Sequence, residues 1–126
     1  MTQNTWIYGT VLRGEKLGRT LGFPTVNLDP FILTSEYKKG VYACMVKYLN
    51  IQYQGALFFG PRLVLNEKTD VLEIYILDFN QDIYDQIIEF KLENFIRKPL
   101  NFKNTHALKR QLKNDVEMVK KLLSMQ

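Results

Sequence analysis

The clearest pattern lies at positions 41–48, where Val41, Ala43, Met45 and Lys47 alternate with Tyr42, Cys44, Val46 and Tyr48, so that both faces of an extended segment are apolar. Such a strand fits the middle of a sheet covered on both sides. Trp6–Leu12 mixes β-branched and aromatic residues ahead of a Gly14-Glu15 break and predicts a first strand. Asn50 predicts the turn into a partner strand, Ile51–Phe59. Val71–Phe79 and Tyr84–Phe95 repeat the pattern on either side of an Asn80-Gln81-Asp82 turn. About six short strands with short connections and no helix between them predict a mainly β fold, an antiparallel barrel or sandwich.

The period changes near the C-terminus. Leu108, Leu112, Val116, Val119 and Leu123 recur at spacings of three and four, which places them on one face of a helix, with Asn104 or Thr105 as its cap. One apolar stripe beside a charged face predicts a helix that packs on the strands. No repeat, low-complexity tract or linker-like stretch divides the 126 residues, so one domain over residues 1–126 is expected.

Charge sharpens this picture. The formal net charge is +4. Residues 91–121 hold nine basic side chains against three acidic ones, which leaves the rest of the chain slightly acidic. A basic C-terminal element on a near-neutral body suits an anionic ligand. A groove for single-stranded nucleic acid calls for basic and aromatic residues interleaved, and this tail offers only Phe95 and Phe102. No apolar run approaches the ~20 residues of a membrane span. Met1–Trp6 lacks the features of a secretory signal, and the single cysteine, Cys44, has no intrachain partner. A cytoplasmic setting is therefore expected, with no nucleic-acid or membrane partner.

Four of the seven glycines fall within Gly9–Gly22. Glycine lets the backbone approach a ligand closely and take positive φ, and successive amide N–H groups then form an anion-binding concavity. Phosphate is the natural guest. Neither the Walker sequence nor the dinucleotide fingerprint is present.

The segment Gly18-Arg19-Thr20-Leu21-Gly22-Phe23-Pro24-Thr25-Val26-Asn27 resembles the hallmark of riboflavin kinases, Gly-Arg-x-Leu-Gly-Phe-Pro-Thr-x-Asn. The resemblance continues through Gly40–Ala43, Leu72–Phe79 and Phe95–Arg97 to the helix, and so covers nearly the whole chain. It resembles the C-terminal kinase domain of bacterial bifunctional riboflavin kinase/FAD synthetases. The fold it implies is a six-stranded antiparallel Greek-key barrel with a C-terminal helix. The activity it implies is phosphorylation of riboflavin by ATP to give flavin mononucleotide (FMN) and ADP. Because this sequence carries no adenylyltransferase domain, FAD synthesis is not expected of it.

Residue by residue, the resemblance implies that Thr25 and Asn27 hold Mg²⁺ between the ATP phosphates. It makes Glu73 the general base and a flavin contact, and Gly14, Lys16, Gly18 and Arg19 a loop over the nucleotide. Arg97 is the candidate for the flavin side. The expected ligands are riboflavin or FMN and ATP or ADP, with the chain acting as a monomer. A hard cation that keeps waters and phosphates as ligands needs few protein oxygens, which suits one hydroxyl and one amide.

The resemblance also implies a flap after Gly60 that closes on the flavin. The sequence departs from the family there: the pattern Asn-x-Gly-x-Arg-Pro-Thr-Phe reads Phe58-Phe59-Gly60-Pro61-Arg62-Leu63-Val64-Leu65. Gly60 and Arg62 are retained, while Asn, Pro and Thr are missing. An alternative reading is therefore a flavin-binding or regulatory module with weak or no turnover.

Other residues have simpler explanations. Without the resemblance, Glu73 is an ordinary strand carboxylate, and Thr25 and Asn27 close a turn after Pro24. His106, the sole histidine, falls at the helix start in a surface or capping position. Cys44 is expected to pack as a small hydrophobe. Asp78 and Asp82 flank a turn and are expected to be structural.

Overall fold

The computed structural model describes residues 5–13, 22–33, 36–62 and 69–124. Six strands form a single sheet: β1 (Ile7–Thr10), β2 (Val26–Leu28), β3 (Gly40–Tyr48), β4 (Ile51–Pro61), β5 (Asp70–Ile76) and β6 (Ile87–Arg97). A 3₁₀ turn at Pro30–Ile32 follows β2, and helix α1 (Thr105–Ser124) closes the chain. The strand order is β1-β6-β3-β4-β5-β2, all neighbours antiparallel. The β3–β6 portion runs 6-3-4-5 in space, a Greek key.

Among the described residues, the two edge strands meet across a single bridge. Leu12, just past β1, pairs with Asn27 of β2, its amide donating to the Asn27 carbonyl at 2.7 Å. That contact nearly closes the sheet into a barrel.

β3 is central, as its two apolar faces imply, with β4 on one side and β6 on the other. Tyr42, Cys44 and Val46 point into the barrel, where they join Leu57, Leu72, Ile74, Ile88, Phe90 and other buried side chains. Ala43 points outward and lies under the helix with Leu77, Val119 and Leu123, flanked by Met45, Ala56 and Tyr75. Ala43 and Ala56 stand directly opposite each other on β3 and β4, and these two small side chains let the helix approach the sheet. Each fully buried aliphatic side chain on that helix contributes about 1.5–3 kcal/mol, so docking rather than intrinsic propensity holds it. Asn104 is the cap: its Oδ1 accepts from the Ala107 amide at 2.9 Å.

Several strand ends shift from the expected positions. The first strand is shorter, with Leu12 reduced to the bridge. The extended reading of Val71–Phe79 stops at Ile76 because Asp78 takes positive φ (57°). Tyr84–Phe95 starts instead at Ile87, after a turn in which the Gln86 amide donates to the Ile83 carbonyl and Asp85 has φ 67°. Val26–Leu28, just past the glycine-rich stretch, is a strand where the residues alone suggested a turn after Pro24.

Candidate functional site

Side chains on directly opposed residues of an antiparallel pair share a face. Asn27 pairs with Glu73, Glu73 with Phe58, Phe58 with Val41, and Val41 with Arg97. These five residues form one row across β2, β5, β4, β3 and β6. It lies two residues along from the Tyr75–Ala56–Ala43 row that the helix covers. Glu73 and Arg97 are three strand spacings apart in it, about 14 Å.

The row's β2 end is polar. Glu73 Oε2 accepts from Thr25 Oγ1 at 3.5 Å and from Arg62 Nη2 at 3.0 Å. The same Arg62 nitrogen donates to Asn27 Oδ1 at 3.4 Å. Thr25 and Asn27 are not merely turn residues: β2 carries Asn27 on the opposite face from Val26 and Leu28, and brings Thr25 and Asn27 to Glu73 from across the ladder. Among the described residues, Glu73 Oε1 receives no hydrogen bond. The carboxylate is thus anchored through one oxygen and open at the other.

Thr25 also lines a cavity of about 360 Å³, together with Pro24, Val26, Ile76 and the loop Phe79–Tyr84. Apolar walls beside the amide groups of Asn80 and Gln81 suit a flat heterocycle with polar edges. The Arg13 guanidinium stacks 4.6 Å from the centre of the Tyr84 ring, which adds a cation beside this cavity. Asp82 Oδ1 accepts from the Tyr84 amide at 3.3 Å and so shapes the loop, in keeping with a structural role.

Arg97, at the far end of the row, is engaged by the helix. Its Nε and Nη2 donate to the two carboxylate oxygens of Asp115 at 2.9 and 2.7 Å, and its Nη1 donates to the Lys98 carbonyl. Gln111 adds a third hydrogen bond to Asp115, at 3.0 Å. Gly14, Lys16, Gly18 and Arg19 lie outside the described residues, as does 63–68 of the expected flap.

Sequence reasoning gave no chemistry to Arg62. Its signal was available: Phe58, Gly60 and Arg62 alternate with period two, which puts Arg62 on the face of Phe58 and hence of Glu73.

The donor set of this site, a hydroxyl, an amide oxygen and a carboxylate, is all oxygen and suits a hard divalent cation. No group of three His, Cys, Asp or Glu side chains that could hold a metal forms among the described residues. So few protein oxygens suit a cation that keeps phosphate and water among its ligands.

Fold and site together define a small Greek-key barrel with an oxygen-lined site on the row between β2 and β5. The family model for riboflavin kinase (flavokinase) matches residues 1–123, and the chain belongs to that family. A bifunctional riboflavin kinase/FMN adenylyltransferase of Haemophilus influenzae is 37% identical over 115 residues, 90% of this chain and 37% of the relative. The chain thus spans little more than a third of that relative's length. Among solved structures, a macrolide-efflux protein from Streptococcus pneumoniae superposes with a TM-score of 0.78 at 32% identity, over 91% of this chain and 38% of that one. A riboflavin kinase from Trypanosoma brucei superposes at 0.65 with 24% identity, over 94% and 79%, and shares the fold. No helix among the described residues is long and apolar enough to cross a membrane.

Proposed function

We propose that this chain, as one domain over residues 1–126, transfers the γ-phosphoryl group of ATP to the ribityl 5′-hydroxyl of riboflavin, giving FMN and ADP. The observation that carries the proposal is the Glu73 carboxylate, anchored at Oε2 by Arg62 and Thr25 and open at Oε1, on a strand paired with Asn27.

Oε1 accepts the hydroxyl proton as the ribityl oxygen bonds to the γ-phosphorus, and the bond from phosphorus to the bridging oxygen breaks, leaving ADP. Thr25 Oγ1 and Asn27 Oδ1 would hold Mg²⁺, which when bound neutralises phosphate charge. The adenine ring enters the cavity lined by Pro24, Ile76 and Tyr84, which has Thr25, a neighbour of Glu73, among its lining residues. The nucleotide-binding role expected of Gly14, Lys16, Gly18 and Arg19 from the family resemblance belongs to the same proposal.

Phe58 and Val41 separate the base from Arg97, a spacing that supports a flavin ring between them. With its guanidinium held by Asp115, Arg97 serves the flavin side by fixing the end of β6 against the helix. The reaction needs no partner chain in this reading, and the single buried thiol suits a reducing cytoplasm.

The test is conversion of riboflavin to FMN by the purified chain with ATP and Mg²⁺, followed by chromatography. FMN accumulation supports the proposal. Riboflavin binding without phosphorylation under any nucleotide or metal overturns it in favour of a binding module disabled by the altered segment Phe58–Leu65.

A further inference from the structure

We infer that Arg62 is a positioning residue for the Glu73 carboxylate; the inference rests on the reading of Glu73 as base. Three observations carry it. First, the Arg62 side chain is only 10% exposed and its Nη2 lies 3.0 Å from Glu73 Oε2. A guanidinium withdrawn this far from water needs an opposing charge and leaves little freedom to the carboxylate that supplies it. Second, the same nitrogen reaches Asn27 Oδ1 at 3.4 Å, so one cation ties β4 to side chains of both β2 and β5. Third, both contacts to the carboxylate fall on Oε2 and leave Oε1 open.

The physical need is specific. The last torsion of a glutamate is soft, so an untethered carboxylate turns through a broad range of angles, and a base must present one oxygen to one proton. A carboxylate working beside a triphosphate also faces like-charge repulsion, which a guanidinium at 3.0 Å offsets. Arg62 meets both needs without touching the reacting atoms. A lysine at this position keeps the charge but loses the planar fork.

The experiment is a double-mutant cycle on the full chain, with Arg62→Met and Arg62→Lys each made alone and with Glu73→Gln. It reads kcat and KM for ATP and riboflavin, with thermal melts as a check of folding. Arg62→Met is expected to lower kcat about 100-fold with a much smaller change in either KM. Arg62→Lys should recover part of that loss. Neither substitution should slow the Glu73→Gln enzyme further, because the group that Arg62 aims is already gone.

Losses that multiply in the Glu73→Gln background, or a loss confined to the riboflavin KM, overturn the inference and make Arg62 a scaffold or substrate contact. If Arg62→Met does not fold, the lysine variant carries the same comparison. A Glu73→Gln enzyme as fast as wild type instead sinks the reading of Glu73 as base and this inference with it, a result distinct from the other two.

Discussion

Asp115 of the helix receives both the Nε and the Nη2 of Arg97, at 2.9 and 2.7 Å, and is itself 3% exposed. A carboxylate at this position interrupts the apolar stripe of α1, whose other buried residues are Leu108, Val119 and Leu123. The pair fastens the end of β6 to the helix at the edge of the Glu73 row, so barrel and helix are joined by a buried ion pair as well as by apolar contact.

Removing one partner of such a pair leaves the other buried without its counter-charge. Asp115→Ala is expected to destabilise the protein by about 3 kcal/mol, with a fall in Tm of roughly 10 °C by thermal denaturation. Replacing both, as in Arg97→Met with Asp115→Leu, should recover most of that loss. A single substitution that leaves Tm unchanged counts against the pair as a fastening.

Gly40 begins β3 where the chain runs against the end of β6. Its φ is +148°, and a Cβ there would lie 2.0 Å from the Arg97 carbonyl oxygen and 2.8 Å from the Phe95 ring. Backbone cannot yield as a flexible side chain can. Gly40→Ala is expected to cost about 3 kcal/mol, read as a lower urea midpoint with an unchanged slope. Gly22→Ala is a useful contrast: it shares a positive φ (88°), but nothing lies within 4 Å of the added methyl. Its penalty comes from backbone strain alone and should be smaller.

Cys44 is fully buried on the inner face of β3, and burial, with a smaller contribution from Glu93, pushes its thiol well above the usual range. The thiol therefore stays protonated throughout the neutral and mildly alkaline range, and the thiolate is the reactive form. An aromatic disulfide reagent at pH 8 should therefore leave the folded protein unmodified and react fully once denaturant is added. Rapid reaction of the native protein contradicts the burial of Cys44.

Periodicity made the long strands β3, β4 and β6 and the helix legible and narrowed the fold to an antiparallel barrel or sandwich; the resemblance to a family chose the barrel. It did not reveal β2, since three residues offer only a single alternation. Strand ends slipped where Asp78 and Asp85 adopt positive φ, a property that composition does not announce. Thr25, Asn27 and Glu73 were legible through the resemblance to a family, and their convergence is a matter of register that no local reading supplies. Arg62 and Asp115 were missed for opposite reasons. Arg62 sat in a segment read as a departure from the family, and Asp115 occupied a helix position where a charge reads as solvent-facing.

Asn27 is the residue on which the proposed metal and the positioning of the base converge, because its Oδ1 faces Arg62 at 3.4 Å and is also the oxygen offered to Mg²⁺. The two roles make different predictions for Asn27→Ala. If the amide oxygen is a metal ligand, its loss weakens metal affinity about 10- to 100-fold, and excess Mg²⁺ restores kcat. If its main task is to steady Arg62, no concentration of metal repairs the rate. Restoration is the expected outcome, because the Arg62–Glu73 contact is shorter, at 3.0 Å, and survives without Asn27. The measurement is the Mg²⁺ dependence of FMN formation in wild type and variant at saturating ATP. A variant curve displaced to higher metal with an unchanged plateau supports the ligand role, and a lowered plateau at unchanged midpoint assigns Asn27 to the positioning of Glu73 instead.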